Sequence, residues 1–169
     1  MKLNTMKDLY IGQLKDLYSA EEQLTEALPK MAQAATSTAL QKAFRDHLDE
    51  TQSHKRRLEQ IFSNLGVSPH GETCQAMEGL IKEGEDIINA QADSAVKDAA
   101  LIASAQRVEH YEMAGYGTVR TFANELGEND AKDLLQATLD EEGSANKKLT
   151  SLAEGGMFSV GINDKAISS

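Results

Sequence analysis

Along four long stretches of this chain an apolar residue returns at every third or fourth position, and near the middle of each stretch acids or histidines interrupt the pattern. A repeat of that period places the apolar side chains on one face of an α-helix. Four such faces can be buried together only by packing the helices around a shared axis. The interruptions then fall inside the bundle, where ionisable groups are costly.

The residue supply agrees with an all-α domain. Alanine, leucine, glutamate, glutamine and lysine dominate the 169 residues, tryptophan is absent, prolines number two and aromatics make up 5%. β-branched residues never alternate over a run, so no strand is expected. The first helix is predicted over residues 5–35, with Tyr10, Leu14, Leu17, Leu24, Leu28 and Met31 as its stripe and Pro29 as a kink point. The second covers 38–65 (Leu40, Phe44, Leu58, Ile61, Leu65) and stops at Gly66. A shorter, glycine-weakened helix is predicted over 73–90, and long ones over 94–127 and 129–154. Two helical hairpins joined by a long connection that carries a short helix make an antiparallel four-helix bundle of the ferritin-like kind, over residues 1–154. Residues 155–169 are rich in glycine and serine, show no helical period, and read as a flexible tail, mobile or docked loosely through Met157 and Phe158.

Each stripe is breached at the same height. Glu21 takes the missing step between Leu17 and Leu24, and Glu109, Glu112 and Tyr116 fill the steps between Ala105 and Val119. In the second helix the series from Phe44 to Leu58 passes through His47, Thr51 and His54, with Glu50 beside them. In the last, Leu135 to Leu149 passes through Thr138, Glu142 and Ala145, with Glu141 beside them. Any one carboxylate alone reads as solvated, or as paired with a neighbour such as Arg107 or His110. Four breaches in register ask for a positive charge among them, and no lysine or arginine holds a comparable position. Two metal ions bound by carboxylate oxygen and imidazole nitrogen satisfy that need. His47 reads as a hydrogen-bonded core histidine, and Tyr18, Tyr111 and Tyr116 as core packing with a polar tip that could bond a ligand carboxylate.

An internal echo supports a two-fold arrangement. LDETQSHKRRL at 48–58 and LDEEGSANKKL at 139–149 share leucine spacing, an Asp-Glu pair and twin basic residues, which pairs Glu50 with Glu141 and His54 with Ala145. The last helix offers no histidine, only Glu141, Glu142 and Asn146, so an oxygen-rich, histidine-poor site is expected.

The stretches DLYSAEEQLTEALPKMA, HLDETQSHKRRLEQIF, CQAMEGLIKEG, KDAALIASAQRVEHYEMAGYGT and LLQATLDEE lie in order along the chain as far as about Ala153. In them the chain resembles the YciE/YciF family, a stress-protein branch of the ferritin-like superfamily. The resemblance implies a rubrerythrin-like bundle, a dinuclear metal centre, a homodimer and a role in bacterial stress responses. Carried over by residue, it implies Glu21, Glu50, Glu109, Glu112 and Glu141 as the carboxylate ligands. His54, taken from the stripe of the second helix, completes the expected ligand set, at a position where the family has histidine or glutamine. Iron is the first expectation for the metal, with manganese or zinc as alternatives.

Function classes narrow accordingly. A formal net charge of −10 argues against nucleic acid as a partner, and Lys55-Arg56-Arg57 reads as a solvated helix face. One cysteine excludes an intrachain disulfide, a CxxC motif and a four-cysteine rubredoxin site, so electrons would come from an external donor. No signal peptide or membrane-length apolar run is read, and a soluble, cytoplasmic protein is expected. Three readings follow: a ferroxidase- or peroxidase-like di-iron or di-manganese protein, a non-enzymatic metal-binding or partner-docking stress protein, and a structural bundle whose carboxylates are protonated or paired.

Overall fold

Thr5 starts the first helix with a capping box, its hydroxyl accepting from the Asp8 amide while the Asp8 carboxylate accepts from the Thr5 amide. Ser37 caps the second helix, and Gly66 ends it in the left-handed region at φ 68°, where a side chain would be strained. The computed structural model describes residues 3–156 and 159–168. It contains helices α1 (Met6–Ala34), α2 (Thr38–Leu65), α3 (Gln75–Asn89), α4 (Ser94–Glu125) and α5 (Asn129–Glu154). A minimal hairpin, β1 (Gly155–Gly156) and β2 (Ser159–Val160), leads to α6 (Ile162–Ile167). Among the described residues no helix is long and apolar enough to cross a membrane.

Side-chain contacts fix the helix directions. Tyr18 bonds Glu59 and Lys55 reaches Glu22, so α1 and α2 run oppositely. Gln106 bonds Asn146 and Thr150 while Gly117 lies against Leu139, and the same holds for α4 and α5. Lys148 bonds Asp46 while Arg57 bonds Thr138, which sets α2 against α5. Tyr10 and Leu14 share one apolar cluster with Val119 and Ala123, whereas Leu28 and Met31 share another with Leu101 and Ala105, so α1 and α4 also oppose. It follows that α2 and α4 are parallel, and the chain between them must cross the length of the bundle. The intervening α3 packs on α1 and α4 along that path. The structure is therefore an all-α antiparallel four-helix bundle with a short extra helix in its long crossover.

The two apolar clusters occupy opposite ends of the bundle. One is built on Leu24, Leu28, Leu40, Phe44, Leu101 and Leu149, and the other on Leu14, Leu17, Leu58, Phe62, Val119 and Leu135. Between them lies the layer of ionisable residues. At the first end the α1–α2 turn is tied to the start of α4 by Asp98. This buried carboxylate accepts from the Thr36 amide at 2.8 Å, the Thr36 hydroxyl at 2.8 Å and the Ser37 amide at 2.7 Å. The crossover is tied beside the middle layer: the Cys74 amide donates to Ser19 Oγ at 3.0 Å, Cys74 Sγ lies 2.9 Å from the Tyr111 hydroxyl, and that hydroxyl donates to Asp16.

The segment after Glu154 has more regular structure than its sequence shows. Gly155, at φ 77°, turns the chain, and side chains at Gly155 or Gly161 would meet backbone atoms at 2.5 and 2.4 Å. Ile162 is buried in the first apolar cluster, and α6 rests on α4 and α5. A helix of so few residues is too short to register a period in sequence. Met157 and Phe158, through which docking was expected, lie outside the described residues. Pro29 sits within α1, which continues beyond it.

Replacing Asp98 by Ala strands three donors at the turn. We expect a loss of about 2–4 kcal/mol, read as a fall of about 5–12 °C in Tm, with helicity retained before melting. An unchanged melting curve would show that the turn is held by other contacts.

Candidate metal centre

The four stripes bring their breaches to one level. From α1 comes Glu21, from α2 His47, Thr51 and His54, from α4 Glu109 and Glu112, and from α5 Thr138 and Glu142. All are buried, and Glu21, His54, Glu112 and Glu142 are fully so. Their ligand atoms form two groups that share a residue. His47, Glu109, Glu112 and Glu142 make one, and Glu21, His54 and Glu142 the other, each with its atoms within 4.8 Å of one another.

Each group is held from outside and left open inside. His54 directs Nε2 to Glu141 at 2.9 Å, and Arg57 clasps Glu141 through both guanidinium nitrogens. This fixes the imidazole ring with Nδ1 facing inward, 3.0 Å from Glu142 and 3.3 Å from Glu21. A carboxylate backing a histidine in this way sets its tautomer and raises its basicity as a ligand. Tyr116 donates its hydroxyl to Glu21 Oε1, and Glu50 accepts from His47 Nδ1 at 3.2 Å. Among the described residues, Glu21 Oε2, His47 Nε2, His54 Nδ1, Glu109 Oε2 and both oxygens of Glu112 and of Glu142 have no hydrogen-bond partner. The inward His54 distances fall in ion-pair range without hydrogen-bond alignment. Eight buried ligand atoms left open in one layer are far from the usual satisfaction of interior polar groups.

The electrostatics express the same crowding. Burial raises the Glu112 carboxyl well above its ordinary value, and Glu142, Glu21 and Glu109 raise it further. Burial likewise raises Glu109, although His47 opposes it, and Glu21, although His54 opposes it. For Glu142 burial also acts upward, but the close approach and charge of His54 and the charge of His47 prevail and lower it. Burial alone would depress both histidines. The carboxylates around them more than reverse this, taking His47 to about 9 and His54 to about 11. At neutral pH without metal, the layer is thus two imidazolium ions among a mixture of ionised and protonated carboxyls.

Of the six residues expected from sequence, the structure brings Glu21, His54, Glu109 and Glu112 together. Glu50 and Glu141 stand at the rim, with side chains 44% and 35% exposed, bonded to His47 and to His54 with Arg57. Both lie one position off the inward stripe of their helices. The stripe itself passes through His47 and Glu142, and it was the better guide to the interior. The echo read at the same offset pairs Thr51 with Glu142, so α2 presents a neutral hydroxyl where α5 presents a carboxylate. Two histidines flanking Thr51 replace the symmetric set, and the layer holds more imidazole than expected. Tyr116 is the tyrosine that bonds a cluster carboxylate.

Comparison with known proteins places this arrangement among relatives. The family described as "Domain of unknown function (DUF892)" matches residues 5–160. Protein YciF of Escherichia coli (strain K12) is 47% identical over 156 residues, covering 90% of this chain and 93% of that protein. The crystal structure of the E. coli stress protein YciF superposes with a TM-score of 0.86 at 45% identity, covering 89% of this chain and 95% of that one. YcfI of Rhodopseudomonas palustris does so with a TM-score of 0.87 at 47% identity, covering 90% and 97%.

A raised carboxyl pKa in the folded state carries a definite sign. The folded protein binds protons more tightly than the unfolded chain, so ionising Glu112 weakens the metal-free fold as pH rises above the ordinary 4.5. Glu112→Gln removes that ionisation. In chelator at pH 7 the variant should melt above the unaltered protein by about 2–8 °C, with the gap narrowing toward pH 4.5. A lower Tm at pH 7 would mean that the Glu112 charge is compensated within the protein.

Proposed function

The chain belongs to the DUF892 family and is similar along most of its length to the stress protein YciF, and on that premise we propose that its buried cluster is a dinuclear metal centre of a ferritin-like stress-response protein. The observation that carries this reading is the set of eight unpartnered ligand atoms, drawn from all four long helices and converging on Glu142. Repulsion among those carboxylates is relieved by cations placed between them. The mixed oxygen and imidazole donors suit first-row divalent ions such as iron, manganese or zinc, and the family resemblance puts iron first.

Each residue has a distinct task in this reading. Glu142, common to both groups, would serve both ions. Glu21 and His54 would hold one with it, and His47, Glu109 and Glu112 the other. Glu141 with Arg57 holds the His54 ring, and Tyr116 holds Glu21 through Oε1, the oxygen 3.3 Å from His54 Nδ1. Glu112, with both oxygens free, can turn between the two positions. The apolar clusters above and below close the layer toward both ends of the bundle. Bound there, a pair of iron or manganese ions supplies redox and Lewis-acid chemistry toward dioxygen or peroxide. This is the basis for a ferroxidase- or peroxidase-like activity, with electrons from an external donor and with a homodimer as the working form. Tight metal without turnover would instead favour sequestration or partner docking.

Elemental analysis of protein grown with added iron and manganese should find about two ions per chain. The double variant Glu112→Ala, Glu142→Ala should lose them with its helical signal intact, whereas Glu50→Ala, Glu141→Ala should weaken binding and retain stoichiometry at saturating metal. A metal-free product under all conditions would leave the layer a structural feature only. Since His47 and His54 hold protons to about 9 and about 11, ligation at pH 7 must expel them. Calorimetric titrations in buffers of unequal ionisation heat should therefore show proton release and an affinity that climbs with pH. Affinity independent of pH would rule out imidazole ligation.

A further inference from the structure

The α2–α5 seam is closed over one part of the layer and open over the other. Beside His54 it is covered by Arg57, whose guanidinium bonds Glu141 and Thr138 and fills the gap between the helices. Toward the other end of the seam a cleft of about 90 Å³ runs inward between Ala43 and Ala145, with Glu50 and Lys148 among its outer residues and His47 and Glu109 among its deep ones. His47 Nε2 and Glu109 Oε2, on side chains only 7% and 4% exposed, have no hydrogen-bond partner. Small side chains make the gap. Ala145 occupies the position that the echo assigns to His54, so α5 leaves open what its counterpart fills.

Charge at the mouth is mixed. Lys148 and Lys42 share Asp46, at 2.6 and 2.7 Å, so the carboxylate that an entering cation would meet is Glu50. Glu50 is half exposed and bonded to His47 Nδ1. Glu50, His47 and Glu109 thus form an unbroken line of ligand atoms from solvent to the interior, with 3.2 Å from the first to the second and 3.5 Å from the second to the third. The cleft is far below the roughly 300 Å³ of a site for an organic ligand, and suits an ion shedding its water. Larger surface clefts, such as the one lined by Gly12, Lys15 and Asp16, include no residue of the cluster.

We propose that divalent metal ions reach the buried cluster through the cleft between α2 and α5, taken first by Glu50 and passed by His47 to Glu109. The proposal rests on the metal-centre reading and adds to it a route and a role for a carboxylate outside the cluster. Glu50 acts as a transient ligand, which governs how fast the site fills and not how much metal it holds.

Cobalt(II) alone is the probe, with uptake followed by its visible absorption after rapid mixing with metal-free protein and final cobalt per chain by elemental analysis. Ala145→Leu plugs the cleft, and Ser144→Leu, at an exposed position on its wall, plugs it with little risk to folding. Either plug should slow uptake about tenfold or more at unchanged final stoichiometry, since a cleft of this size has no room for both a leucine and an ion. Glu50→Gln should slow it by about threefold to tenfold through loss of the focusing charge. Glu85→Gln, on α3, should leave the rate unchanged. Wild-type rates in both plugged variants, with wild-type loading, would overturn the route and leave the metal centre standing. Failure of the unaltered protein to take up cobalt would overturn both.

Discussion

Between the two apolar ends of this bundle, four helices each turn toward their neighbours a group that water would solvate better than protein does. Burying a leucine contributes about 1.5–3 kcal/mol, whereas an uncompensated buried charge costs several. One carboxylate such as Glu21 is therefore carried by the leucines on either side of it in the same helix, Leu14, Leu17, Leu24 and Leu28. The layer persists because the ends of the bundle fix the helix phases, leaving the middle no freedom to turn its charges outward.

That constraint explains the division of labour in the surroundings. Three atoms are tied down by hydrogen bonds: His54 Nε2 by Glu141, Glu21 Oε1 by Tyr116, His47 Nδ1 by Glu50. The remaining inward atoms meet only at ion-pair distance, His54 Nδ1 lying 3.0 Å from Glu142 and His47 Nε2 3.5 Å from Glu109. The carboxylates outnumber the two imidazoles, and the hydrogen bonds keep the excess pointed at a common centre. The bracing of Cys74 and Tyr111 against Asp16 serves the same end, because Tyr111 adjoins Glu112 on α4 and anchors the crossover beside it.

Much of this was legible in the residue order. Helix limits follow from the stripe, from Ser37 and from Gly66, and fall within one or two residues of the structure for most of the long helices. The level of the breaches could be read as well, since Glu21, His54, Glu109 and Glu112 stand on their stripes. Glu50 and Glu141 were drawn from the echo and the family resemblance, and each lies a position away from the inward face. One residue is a turn of about 100° around a helix, enough to move a carboxylate from the interior to the rim. His47 and Glu142 were already in the stripe, but a single residue type gives no measure of which of two adjacent acids faces inward. The terminal hairpin and α6 were illegible because their regularity comes from packing Ile162 onto α4 and α5 and from close backbone approach at Gly155 and Gly161.

The sequence by itself determined an all-α bundle with ionisable groups buried at one level, because helical periodicity is local and a breach in it is visible wherever it occurs. Only the tertiary structure decided which groups meet, that Glu142 is common to both sets, that Arg57 seals one part of a seam and that Ala145 leaves the other open. Those outcomes depend on the rotation and offset of each helix against its neighbours, and these are set by the summed packing of the two apolar ends, to which no single segment of sequence has access.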